Sequence, residues 1–180
     1  MLKTVFSIIM ISIVSVVVVA IVIYLIIQRK KVKLMMSDER LRNAKLFDSY
    51  KSFAISPDGF IGIVNVPKII IFHIKEIIGF QIAFDNEKIA NDTSILLFDN
   101  IISKIEPFLG RRIKDIRLML NKEDNTLLEI PLLISNTTTT GGKSRRKTII
   151  LEISESRQNE IKEVLSTFES VERSVKKEFH

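Results

Sequence analysis

The pattern that most invites a chemical reading in this chain is Gly141-Gly142-Lys143-Ser144. Gly-rich turns ending in Lys and Ser cradle phosphate when backbone N–H groups and a helix N-terminus converge on the anion. Such a loop also needs a Gly five residues before Gly142, and Thr137 stands there. The residues after Ser144 read as a strand, not a helix. The segment is therefore expected to be a flexible hairpin tip. Lys143, Arg145, Arg146 and Lys147 form the one basic cluster inside the soluble part. They are a candidate contact for phosphate or lipid headgroups, set against the plainer reading of a solvated loop.

Other candidate chemistry is sparse. His73 ends an apolar strand and His180 ends the chain, and neither has a ligand-type neighbour at metal spacing. His73 reads as a core or turn histidine. The acidic turns Asp85-Asn86-Glu87, Asp92, Asp99-Asn100 and Glu123-Asp124-Asn125 lack the regular spacing of a calcium loop. The absence of cysteine excludes disulfides, thiolate zinc and thiol catalysis. No Ser or Lys stands in a recognisable nucleophile motif. The expectation is a protein that is not an enzyme, with no metal and no cofactor.

The net charge of +6 also points away from nucleic acid as a partner once its placement is considered. Lys3, Arg29, Lys30, Lys31 and Lys33 all precede Leu34, and every acidic residue follows it. The remainder of the chain is nearly neutral. The basicity belongs to the flank of an apolar run.

That run, Thr4 to Ile27, contains no charge, Gly or Pro. A helix needs about 20 apolar residues to cross the hydrocarbon core. In lipid the backbone has no partner but itself, so helix prevails over the strand preference of Val and Ile. The run is too long for a signal-peptide core, and Gln28-Arg29-Lys30-Lys31 follows it in place of a cleavage site. Residues 1–28 are read as a transmembrane anchor. Arg29, Lys30, Lys31 and Lys33 outnumber the single Lys3 before the span, which places the C-terminal part in the cytoplasm of a cell (inner) membrane protein. The same four side chains suit anionic lipid.

Residues 29–52 are read as a basic juxtamembrane segment and a linker helix, with Ser37 as N-cap and Leu41, Ala44 and Phe47 at helical spacing. Residues 53–180 read as one soluble α+β domain. Short β-branched and aromatic runs lie between turns at Ser56-Pro57-Asp58-Gly59, Pro67-Lys68 and Asp85-Asn86-Glu87. Residues 90–109 read equally as helix or strand. Arg112–Leu120 and Leu127–Ser135 read as a hairpin, with Pro131 at an edge or bulge. Asn136–Arg145 reads as a loop and Thr148–Ile153 as a strand. Ile161, Val164, Leu165, Phe168, Val171 and Val175 then mark an amphipathic helix, with Glu, Lys, Arg and Gln on its other face.

Three stretches carry a family likeness: Phe60–Phe84 with its Ile77-Ile78-Gly79-Phe80-Gln81-Ile82 run, the hairpin Ile116–Ile134, and the strand-then-helix ending at Thr148–Phe179. Together they resemble bacterial pleckstrin-homology-like (PH-like) domains, over about two-thirds of the chain. The resemblance implies an antiparallel sheet or barrel closed by the C-terminal helix, and a binding or scaffolding role with no catalytic residues. The expected function is a membrane-tethered binding module acting through a protein partner at the cytoplasmic membrane face. Two other readings stand beside it. One is an exclusion or immunity protein working through its transmembrane helix. The other is a lipid-headgroup-binding module using Lys143, Arg145, Arg146 and Lys147.

Overall fold

The computed structural model describes residues 2–47, 53–65, 68–85, 87–91, 96–141 and 147–177. Helix α1 spans Leu2–Met36. Its stretch Ser12–Met36 holds an 18-residue window with a mean hydropathy of 2.4 and is long and apolar enough to cross a membrane. The basic residues 29–33 lie within this helix, not after it, because nothing between Gln28 and Met36 breaks the helical backbone.

The linker helix expected from Ser37 onward does not form. Asp38, not Ser37, caps a single 3-10 turn over Glu39–Leu41, and its side chain accepts the Arg40 N–H at 3.0 Å. The Ser37 hydroxyl donates to the Leu34 carbonyl instead. Strand β1 follows at Lys45–Phe47 and pairs with β2, Phe53–Ile55. The first sheet therefore takes in Lys45–Phe47, ahead of Phe53. Leu41 and Phe47 mimic helical spacing but are buried by a turn and a strand, a case of tertiary packing overriding a short periodic signal.

The first sheet runs β1-β2-β3-β4, with β3 at Phe60–Asn65 and β4 at Lys68–His73. The second runs β6-β5-β7-β8, where β5 is Ile77–Phe84, β6 is Glu87–Asn91, β7 is Ile116–Lys122 and β8 is Leu127–Leu133. All pairings are antiparallel. β5 and β7 are neighbours across the crossover carried by helix α2, Ile101–Leu109. Of the ambiguous residues 90–109, 90 and 91 end strand β6 and 101–109 form the helix, while 92–95 lie outside the described residues. Pro131 sits on edge strand β8 beside a register shift, so both expectations for it hold.

Asn136–Arg145 is not all loop. Thr137–Thr140 forms β9 and pairs with β10, Lys147–Ile150, because Thr favours extended backbone and has a strand to face. The strand expected from Arg112 starts only at Ile116, and Arg112 makes a lone bridge to Glu152.

Helix α3, Glu155–Lys177, buries the expected stripe from Ile161 to Val175. That stripe joins Phe53, Ile55, Ile61, Ile63 and Phe72 of the first sheet and Phe80, Ile82, Ile116, Leu118 and Leu120 of the second in one core. Phe80 stacks on Phe98 with centroids 4.9 Å apart, and Phe98 stacks on Phe168 at 5.0 Å. A ladder of three rings thus links the second sheet to α3.

Candidate functional site

Two regions bring together residues with functional potential: the foot of α1 and the polar side of α3. At the foot, Met35 is 1% exposed and packs with Ala54 and Val64 on the outer face of the first sheet, with Leu34, Ala44, Leu46 and Ile69 around them. Six residues on, Leu41 is fully buried against Gly62, where an added Cβ would lie 2.4 Å from Leu41 Cδ1. The chain is therefore seated on the sheet at two points, Met35 in the last turn of the helix and Leu41 in the 3-10 turn that follows it. Arg29, Lys30 and Lys33 are exposed on the helix below this seat. The side chain of Lys31 lies outside the described residues.

On α3 the surprise is Glu172. Its place among the polar residues of the helix suggests solvent, yet it is 1% exposed. One carboxylate oxygen accepts the Leu97 N–H and the other the Phe98 N–H, both at 2.8 Å. Lys176, one turn further, donates to it at 2.8 Å. Glu169 accepts the Asn100 N–H at 3.3 Å, and Arg173 reaches Asp99 at 2.5 Å and Glu169 at 2.8 Å. The N–H groups ahead of α2 are thus satisfied by α3 and not by a local cap, and Asn100 itself is left-handed with no capping side chain. The sequence signal for this was weak: a Glu one position beyond the apolar Val171, at the rim of the stripe. The solvent side of the same helix, with Ser170, Arg173 and Ser174 exposed, borders a shallow groove running to Asn43, Lys45 and Pro57.

The other sequence candidates have structural employment. His73 Nδ1 accepts the Lys75 N–H at 3.1 Å, so its proton is on Nε2, which donates to the Asp58 carbonyl at 2.9 Å. Glu76 accepts the His73 N–H at 2.7 Å and pairs with Lys122 at 3.0 Å. These contacts, the His73 N–H first, hold the Glu76 carboxyl below its ordinary range. The Lys122 ammonium is correspondingly raised, chiefly by Glu76. Asp85 takes a left-handed φ of 48° and accepts the N–H groups of Lys114 and Asp115 at 3.1 and 2.9 Å. Asp115 in turn accepts the Ser135 N–H. These acids tie turns to strands. Among the described residues, no group of three or more His, Asp or Glu is placed to hold a metal ion.

Of the Gly141–Ser144 segment only Gly141 is described. Gly141 has a φ of 111° and β10 begins at Lys147, opposite Thr140. Lys147 is exposed at the base of the hairpin. Lys143, Arg145 and Arg146 lie outside the described residues, as do Asp92 and His180.

Compared with known proteins, the chain matches no family model, no curated protein and no solved structure.

Proposed function

We propose that this chain is a single-pass, membrane-tethered binding module of PH-like fold that holds a protein partner at the cytoplasmic face of the cell membrane. The observation that carries this reading is the junction at Met35. An apolar helix of spanning length ends with Met35 packed on the first sheet of an α+β domain. Two antiparallel four-stranded sheets and a C-terminal helix buried against them support the PH-like assignment. The β6-β5-β7-β8 order, with α2 in the crossover, is an elaboration on that plan. The excess of Arg29, Lys30, Lys31 and Lys33 over Lys3 supports the cytoplasmic orientation. Binding is favoured over catalysis because His73, Glu76, Asp85, Asp115 and Glu172 are each engaged in holding turns and helix ends.

The test is in-cell photo-crosslinking from Ser170, Arg173 and Ser174, on the exposed side of α3, followed by mass spectrometry. One dominant protein partner supports the module. Exchange of Thr4–Ile27 for an unrelated span should leave that partner in place. Loss of function on exchange, with no partner captured, would shift the activity to the transmembrane helix itself.

A further inference from the structure

We infer that the domain is held in one orientation on the bilayer, with the β3–β4 end of its first sheet against the anionic headgroup layer and α3 across the far end. The inference rests on the membrane-tether reading and adds which way the domain faces.

The chain leaving α1 climbs along β3 in a definite direction. Met35 packs with Val64, near the end of β3, and with Ile69, near the start of β4. Leu41 packs on Gly62, two positions closer to the start of β3. The Arg40 guanidinium lies 5.8 Å from the ring of Phe60, the first residue of β3. The helix therefore enters from the side of the β3–β4 connection. Leu34 and Met35 hold the last turn of the helix on the outer sheet face, and Leu41 on the same face sets the direction in which the chain runs on from it.

The height follows from helical rise. Met35 lies eight residues beyond Ile27, the last residue of the apolar run. At 1.5 Å per residue that is about 12 Å. The headgroup layer adds roughly 5–8 Å to each side of the hydrocarbon core. The outer face at Met35 thus stands about 4–7 Å above the headgroups, close enough for an extended Lys side chain to reach back to them. Lys68 is exposed at the first position of β4, next to Ile69, which packs at Met35, while Arg29, Lys30 and Lys33 lie on the helix nearer the membrane. The Lys68 charge suits an anionic surface and extends the basic helix flank with a residue far away in sequence.

The opposite end is also defined. An added Cβ at Gly59 would meet Val175 of α3 and the His73 ring, both 2.9 Å away. The Ser56–Gly59 turn and α3 therefore lie together, at the end of the first sheet away from the helix entry. Ser170 and Ser174 of α3 line a groove with Pro57 of that turn, which places this part of α3 at the end away from the bilayer, where a soluble partner has access.

The chain has no cysteine, so single labels are clean. An environment-sensitive fluorophore is placed on Lys68→Cys, on Asp58→Cys or on Val18→Cys in the full chain. Each is reconstituted in vesicles of phosphatidylcholine and phosphatidylglycerol carrying headgroup or acyl-chain spin labels. Acyl-chain quenching at Val18 reports the span on its own, so its loss would count against the membrane tether. With Val18 quenched, headgroup quenching at Lys68 and its absence at Asp58 is the expected result. Equal quenching at both, stronger quenching at Asp58, or none at Lys68 would overturn the fixed orientation. A flexible Gly-Ser insertion after Lys33 leaves Met35 seated but frees the domain, and should abolish the difference. A difference that survives the insertion would also overturn the role of the junction.

Discussion

The Glu172 carboxylate on α3 accepts the backbone N–H of Phe98 at 2.8 Å, joining two residues 74 positions apart in the chain. A charged acceptor suits this place because its second oxygen serves Leu97 in the same way. Glu172→Gln keeps one acceptor oxygen but turns an amide NH2 toward one of the two donors. It is expected to destabilise the fold by about 1–3 kcal/mol, the cost of leaving a buried donor unsatisfied. Glu172→Ala should cost more. Denaturant melts of the full chain in detergent read both values, and a Gln variant as stable as the parent would show that the clamp is dispensable.

Gly62 and Leu41 form a close pair at the junction with the apolar helix. Any side chain at Gly62 meets Leu41 Cδ1 head-on, and Leu41 is fully buried with little room to move. Gly62→Ala is expected to cost about 1–3 kcal/mol by overpacking. Leu41→Ala in the same chain should recover part of that loss. A double-mutant cycle with no coupling between the two sites would contradict the contact.

Phe168 closes the three-ring ladder from the second sheet to α3 and is fully buried. Phe168→Ala should cost about 3–5 kcal/mol, since it removes a ring and leaves a cavity between the helix and Phe98. The expected signature is a lower melting midpoint, with a far-UV spectrum still native below it.

The Glu76–Lys122 pair predicts a pH dependence with a definite sign. A carboxyl whose folded pKa is lowered contributes stability above its unfolded value, and loses it as pH falls through the folded one. For Glu76 that loss develops below the ordinary value of 4.5. A raised ammonium works in reverse, so the Lys122 contribution is complete below its ordinary 10.5 and fades as pH rises past the folded value. Because Glu76 is 42% exposed, the pair adds at most about 1 kcal/mol near neutrality. Melting curves of the parent and Glu76→Gln should converge toward acid pH. A constant gap through the acid limb would rule the pair out as the source.

Local pattern and tertiary context divided the reading of this chain between them. The hairpin Ile116–Leu133 was legible because Ile116, Leu118 and Leu120 alternate with Arg117, Met119 and Asn121, and Asn125 supplies the left-handed turn position. The α3 stripe was legible because Ile161 to Val175 repeat at helical spacing. The Lys45–Phe47 strand was not, since three residues carry too little period to tell a strand from one turn of helix. Thr137–Thr140 has no apolar face at all, and only its partner Lys147–Ile150 makes it a strand.

The sequence by itself determined what is written in uninterrupted hydropathy and period: an apolar helix of spanning length at the N-terminus, an amphipathic helix at the C-terminus, and short strands between. Those features follow from the transfer free energy of each residue and need no distant partner. The tertiary structure alone decided where Met35 is seated, that Glu172 serves the backbone at Leu97 and Phe98, and that Ile69 packs at the helix foot. Each of these depends on contacts between segments tens of residues apart. Such contacts are selected by the closing of a shared core and by the need of buried N–H groups for an acceptor, and neither leaves a local periodic trace.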